Sequence, residues 1–553
     1  MKFSAALFAA TLLSNSALAL TPTERFDQAS KQAQALFDAR DYARAAAALK
    51  TIADDPTFAA QQDYPDRFYA LARASAALGK GDEAIAALTK AVDLGATPTS
   101  EEVTNEKEFA SLKDDARFKQ QVARIVKAEA LWKDDPALAT PYKPVLSEAE
   151  KVAGLSKLWA EARFDFAFFG RIPEVDWDAT YMAYLPQVIA AKTTEDYYRV
   201  LMRFMATLKD GHTRVLAPPE LQDRFNGVTK VTTRLIEGKV LVTGVSDRAL
   251  EVQGVKTGAE IVQIDGRPAL EYAKAEVEPY VFGFTPQDRN VWTYDYALLR
   301  GPVDQPVRLT LREAGGKTVT ATVPRQHNNG PFGILPEIDL APHFRMLPGN
   351  IAYLQVNVFV DDNGAKAMRE NFAAISRADG LIIDVRENSG GNDDNAHLIL
   401  QMLADKPYMG NNWRTRDYRA AFRSWSRPIG WMRRAGGEHQ PDPKYHFGGP
   451  VIVLTSARTF SAAEDFTSGF DAMKRGRIVG ETTGGSTGNP YLFALPGGGR
   501  AFVCTKDDTY WNGQVFEGVG IKPDVAVSPT IADIRAGRDR VLEKAVNLLR
   551  TGH

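Results

Sequence analysis

The chain has 553 residues, 44% of them hydrophobic and 25% charged, which is the balance of an ordinary globular protein with two to four domains rather than a disordered or fibrous one. Its 67 basic and 69 acidic side chains leave a formal charge of −2, so there is no global electrostatic reason to bind nucleic acid or an anionic membrane. One cysteine, Cys504, excludes an intramolecular disulfide and a thiolate metal cluster.

Residues 1–19, MKFSAALFAATLLSNSALA, join an early Lys2 to an apolar stretch and end in the small-x-small triplet Ala17-Leu18-Ala19. That is the pattern of a secretory signal peptide, so export to the periplasm or the extracellular space is expected. No later window holds about 18 uninterrupted apolar residues, and no transmembrane anchor is expected.

Residues 20–135 are rich in alanine with helical periodicity. The segments FDARDYARAAAALKTIA (37–53) and LGKGDEAIAALTKAVDL (78–94) align Ala45 with Ala84 at a spacing of 39, which resembles tetratricopeptide repeats with a lengthened connection. Such a domain either packs or docks a protein partner. PALATPYKP (136–144) reads as a linker, and 145–225 as a helical region.

Residues 228–325 turn to strand character. KVTTRLIEGKVLVTGV (230–245) alternates as a hairpin turning at Glu237-Gly238, and QPVRLTLREAGGKTVTATVPR (305–325) closes the region with a second hairpin. Together they look like a PDZ domain, a module that binds peptides by strand addition. The segment 276–303 is expected as an insertion or a long helix.

From 331 to 530 strands alternate with helices, which predicts a mainly parallel sheet. Strands are expected over 350–359, 380–387, 450–456, 477–483 and 500–506, and helices over 363–377 and 395–404; residues 531–553 close the chain as a helix. Cys504 lies in the last of these strands and reads as core packing. Reactive groups gather at strand C-terminal ends in such sheets, so the loops after 387, 456 and 483 matter most.

The first loop, DVRENSGGN (384–392), offers backbone N–H groups at Gly390 and Gly391. The second, RTFSAAEDF (458–466), sets Ser461 between a strand and a helix. Ser461 with Glu464 spells a capping box, S-x-x-E, so the local pattern fits a helix cap as well as a nucleophile. If Ser461 reacts, the N–H of Ala462 and one from Gly390 or Gly391 would form an oxyanion hole. The third loop, GETTGGSTGNP (480–490), holds no lysine, and Ser486 stands 25 residues beyond Ser461, where a lysine base would sit. Of seven histidines, His212 in the polar turn DGHT is the candidate base, and none has metal-ligand spacing, so no metal or cofactor is expected. Glu517, in the turn WNGQVFEGVGIKPDV (511–525), is the candidate third group.

Taken in register, DGHT, VRENSGG, TFSAAED, GETTGG and FEGVGIKPD, with a PDZ-like region between the first two, resemble the C-terminal processing (tail-specific) protease superfamily over roughly 145–530. The missing lysine and the DGHT turn resemble its tricorn-type branch. The resemblance implies a multidomain α/β protein with a crotonase-like (ClpP/crotonase spiral) core. It also implies Ser461 as nucleophile, His212 as base, Glu517 orienting His212, and Gly390 or Gly391 with Ala462 as the oxyanion hole. The family's tricorn-type site has a serine immediately before the histidine; here that residue is Gly211, and Thr213 is expected to supply the missing hydroxyl. The implied activity is an exported serine endopeptidase acting on peptides or unfolded protein. A peptide- or ligand-binding module of the same fold without turnover, and a hydrolase of esters or small amides, are the competing classes.

Overall fold

The computed structural model describes residues 20–551 except 97, 132, 134, 135 and 338, so the expected signal peptide and His553 lie outside the described residues. The chain divides into two units, with the boundary between residues 135 and 136.

The first unit is helical. Its main helices span Pro22–Asp38, Tyr42–Asp54, Tyr64–Ala77, Gly81–Asp93 and Ala116–Glu129. Thr21 and Glu24 cap the first reciprocally, and Asp41 caps the second through the Arg44 N–H. Ala45 and Ala84 are each the fourth residue of their helix and both are fully buried. The 39-residue spacing thus marks equivalent buried points of two helices.

In the second unit, helices Glu148–Asp165, Trp177–Ala190 and Thr194–Ala206 pack on a three-stranded antiparallel sheet. That sheet is built from Arg214–Leu216, Arg500–Cys504 and Pro490–Ala494. Their common core includes Phe166, Tyr197, Phe204, Phe493, Val503 and Cys504. One expectation changes here. The strand expected over 500–506 within the parallel sheet lies in this antiparallel sheet instead, and the helices of 145–225 share its core. The end of the expected linker is also fastened: Thr140 accepts from the Gly497 N–H at 2.9 Å and Pro144 from the Thr194 N–H at 2.9 Å.

Residues 231–323 carry a six-stranded sheet with the main order Val231–Ile236, Lys239–Val245, Glu260–Ile264, Val307–Arg312, Thr318–Val323, and the short strand Arg267–Pro268 pairs with Glu260–Ile264. The first hairpin turns at Glu237 (φ 50°) and Gly238 (φ 75°), two left-handed residues whose twist matches paired strands. The segment 276–303 is no single helix. It breaks into the short helix Pro286–Asn290 and a widened π turn at Val291–Ala297.

The largest parallel sheet has the order Val525–Ala526, Arg477–Gly480, Val451–Thr455, Gly380–Asp384, Ile351–Gln355, His343–Leu347, and only the last pair is antiparallel. Every residue of Gly380–Asp384 and Val451–Thr455 is buried, because helices cover both faces. Asp393–Leu403 and Ala462–Met473 share a core with one face, and Val541 and Ala545 of Arg540–Thr551 pack on the other. The helix expected over 363–377 breaks at Asn371 into Asn363–Glu370 and Phe372–Ile375. The C-terminal ends of three neighbouring strands bring the loops near 388, 459 and 484 together.

Candidate active site

Ser461 joins the strand Val451–Thr455 to the helix Ala462–Met473 with φ 57° and ψ −130°, a conformation that costs a non-glycine residue on the order of 1–3 kcal/mol. Three backbone bonds hold it there: the Ser461 N–H donates to Ser486 O at 3.0 Å, and Ser461 O accepts from the Glu464 N–H at 2.7 Å and the Asp465 N–H at 3.3 Å. The turn swings the hydroxyl off the helix, so Ser461 makes no side-chain cap. This corrects the capping-box reading. Glu464 instead accepts from Thr483 Oγ1, from the Gly485 N–H at 2.8 Å and from the Ser486 N–H at 2.7 Å.

His212 meets that hydroxyl, with Nε2 at 3.0 Å from Ser461 Oγ. His212 is 7% exposed, and its ring stacks on Phe460 at 4.7 Å between centroids. Burial takes the His212 pKa down to about 3, and the positive charges of Arg214 and Lys506 push the same way. A neutral imidazole at neutral pH is the proton-accepting form.

On the other side of the ring, His212 Nδ1 lies 2.9 Å from Ser486 Oγ, which in turn lies 3.5 Å from Asp210 Oδ1. The Thr213 hydroxyl makes no hydrogen bond to His212. It donates to Asp210 Oδ2 and accepts from the Cys504 N–H at 3.0 Å. Burial raises the Asp210 pKa to about 6, against the Thr213 hydrogen bond that favours the charged form. Gly211 is glycine for a steric reason: a Cβ there would stand 2.8 Å from the Phe460 ring and 2.9 Å from Ser486 Oγ.

Glu517 is placed differently from the expectation that it orients His212. Its Oε2 accepts from the Thr487 N–H and, at 3.0 Å, from Thr487 Oγ1, while Oε1 is buried without a partner. Burial pushes this carboxyl well above its ordinary value. Glu517 therefore anchors the residue after Ser486, and the position at His212 Nδ1 belongs to Ser486.

The oxyanion candidates also separate. The Gly390 N–H is spent on Asn388 Oδ1 at 2.9 Å, and Gly390 abuts Ser461, where a Cβ would come within 2.5 Å of the serine Cβ. Among the described residues, the N–H groups of Gly391 and Ala462 make no hydrogen bond. Gly391 lines the same pocket as Ser461.

That pocket, of about 200 Å³, is walled by Val291, Trp292, Tyr296, Phe332, Leu335 and Phe502 beside Ser461 and His212. Much of the wall comes from the broken segment 276–303, which is fastened to the loops of the parallel sheet. Thr285 Oγ1 donates to Gly484 O at 2.6 Å, and Gln287 Nε2 donates to Thr483 O at 3.1 Å. Asp295 pairs with Arg458 at 2.8 Å, which also holds Glu387 at 2.6 Å.

The sequence reading did not single out Asp210, Phe460, Trp292 or Asp295, and it treated Ser486 only as the absence of a lysine. The neighbouring DGHT and RTF motifs flagged the vicinity of the first two. No local signal marks the others.

Residues 350–527 match the model of peptidase family S41, a span that contains Ser461 and Glu517 but not His212. The chain is 25% identical over 462 residues to tricorn protease homolog 2 of Streptomyces coelicolor, covering 77% of this chain and 35% of that protein. It is 24% identical over 404 residues to tricorn protease homolog 1 of the same organism, covering 68% of this chain and 33% of that one. The chain thus spans about a third of the length of these two relatives. It is also 25% identical over 380 residues to a carboxyl-terminal-processing protease of Synechocystis sp., covering 65% of this chain and 78% of that protein. Among solved structures, mature CPAF complexed with lactacystin superposes with a TM-score of 0.60 at 16% identity, over 73% of this chain and 99% of that one, a likeness of fold. The segment carrying the Ser461 turn and both glycine loops is a domain of peptidase family S41, a family of serine-type peptidases.

Proposed function

We propose that the protein is a serine endopeptidase that hydrolyses peptides or unfolded protein segments through an acyl-enzyme. The observation that carries this reading is the 3.0 Å approach of Ser461 Oγ to the Nε2 of a neutral His212, on a strained turn that releases the hydroxyl from capping. As Ser461 Oγ attacks the scissile carbonyl, its proton passes to His212 Nε2. The N–H groups of Gly391 and Ala462 receive the negative charge that develops on the carbonyl oxygen. The C–N bond then breaks, the leaving amine takes the proton from Nε2, and water repeats the sequence to release the acid. The apolar wall of the pocket favours bulky apolar side chains beside the scissile bond.

Three further parts belong to this reading: residues 1–19 export the chain, the six-stranded region is PDZ-like, and the N-terminal helices are a tetratricopeptide-like docking unit. The test is covalent labelling by a fluorophosphonate alongside hydrolysis of an unfolded protein such as casein. Wild type should label at Ser461, and Ser461→Ala should lose labelling and about 10⁴-fold or more of hydrolysis with its melting temperature kept. Hydrolysis that survives in Ser461→Ala would overturn the assignment.

A further inference from the structure

We propose that Ser486 is the positioning residue for His212, and that the carboxylate standing behind it is Asp210 rather than Glu517. The inference rests on the assignment of Ser461 and His212 as the reacting pair.

Ser486 is bonded to every part of that pair. Its carbonyl accepts from the Ser461 N–H at 3.0 Å, its N–H donates to Glu464 Oε2 on the Ser461 helix at 2.7 Å, and its hydroxyl lies 2.9 Å from His212 Nδ1. The roles follow from proton counting. If Nε2 is to accept from Ser461, the imidazole proton must sit on Nδ1, so Nδ1–H donates and Ser486 Oγ accepts. The Ser486 hydroxyl proton is then free to donate, and Asp210 Oδ1 at 3.5 Å is the acceptor it faces. Asp210 is itself held by the Thr213 hydroxyl, which the Cys504 N–H holds in turn. No proton travels along this chain. It selects the Nδ1–H tautomer, fixes the ring and places a carboxylate two bonds from the imidazolium that forms during acylation.

The steric facts explain why this arrangement replaces a serine before the histidine. The Cβ of any residue at 211 would stand 2.9 Å from Ser486 Oγ and 2.8 Å from the Phe460 ring that stacks on His212. One hydroxyl occupies this space, and here it arrives from position 486, on the far side of the ring. Glu517 makes no hydrogen bond to His212 or Ser486: its Oε2 is committed to Thr487 and its Oε1 has no partner among the described residues.

Three variants, Ser486→Ala, Asp210→Asn and Glu517→Gln, with the double variant Ser486→Ala/Asp210→Asn, decide the matter through kcat and KM on a peptide substrate, fluorophosphonate labelling rate and melting temperature. Ser486→Ala should lower kcat and labelling rate by about 10²-fold or more with KM within about threefold, because it loses tautomer and orientation but no substrate contact. Asp210→Asn is isosteric and should lower kcat by a similar or smaller factor. The double variant should be no worse than about the poorer single, as expected for groups acting in one chain. Glu517→Gln should change kcat least. The proposal is overturned if Ser486→Ala keeps wild-type kcat, if the two losses multiply, or if Glu517→Gln alone reproduces the loss. The underlying assignment fails separately, by Ser461→Ala retaining activity whatever the relay variants do. Should Ser486→Ala not fold, Asp210→Asn against Glu517→Gln carries the same decision.

Discussion

Two glycine-rich loops flank Ser461 and do opposite work. The loop at 388–391 offers backbone: Asn388 ties up the Gly390 N–H, and the N–H of Gly391, a residue that lines the pocket, makes no hydrogen bond among the described residues. The loop at 483–488 offers side chains and anchors: Thr483, Gly485 and Ser486 converge on Glu464, Ser486 faces His212, and Thr487 holds Glu517. The first loop needs glycines because backbone must come close. A Cβ at Gly391, where φ is 139°, would stand 2.4 Å from the carbonyl carbon of Phe359. The second needs them so that a hydroxyl can be delivered into a buried polar network. Similar composition therefore hides a donor of N–H groups on one side and a positioning device on the other.

That contrast breaks most sharply at Gly391. Gly391→Ala should displace the bare N–H and lower kcat by about 10²–10³-fold, the usual cost of one oxyanion donor, with KM little changed. Steady-state kinetics would decide it, and an unchanged kcat would mean that this loop supplies no donor.

A smaller effect is expected where the segment 276–303 grips both loops. Arg458→Met would strand Asp295, which is 5% exposed, although Arg234 remains 3.5 Å from it. Stability should fall by about 3 kcal/mol, near the lower end for breaking a buried pair, and KM should rise as the Trp292 and Tyr296 wall loosens. Thermal unfolding and substrate titration read the two separately.

The smallest effects are pH slopes. A buried His212 takes up its proton near pH 3, whereas the unfolded chain does so near the ordinary value of about 6.5. Between those values the unfolded state binds more protons, so His212 costs the fold stability as pH falls from about 6.5 toward 3. The melting temperature of wild type relative to His212→Gln should decline over that window. The acid limb of kcat/KM should then report Asp210, raised to about 6, losing activity as its carboxylate protonates, and Asp210→Asn should move that limb.

Much of this was legible in the chain. The strands Gly380–Asp384 and Val451–Thr455 read as uninterrupted apolar runs because both faces are buried. The hairpin at Glu237-Gly238 was readable because only a left-handed pair makes that turn. Family-like motifs marked Ser461, His212 and the two glycine loops. The capping box misled because S-x-x-E describes residue types, whereas φ 57° at Ser461 takes the hydroxyl away from the helix end.

What the sequence determined by itself, then, was local: which segments are buried, where they turn, and which loops carry reactive residue types. Only the tertiary structure decided which side chains meet. Ser486 and His212 are 274 residues apart, and they are joined because Arg214–Leu216 pairs antiparallel with Arg500–Cys504. Pro490–Ala494 pairs antiparallel with the same strand, so the turn before Arg214–Leu216 and the loop before Pro490–Ala494 lie at the same end of the sheet. Glu517, expected to orient His212, holds Thr487 instead, the residue after Ser486. Spacing along a chain limits what can be close, while strand register and the space left between Gly211 and Phe460 settle which hydroxyl occupies it.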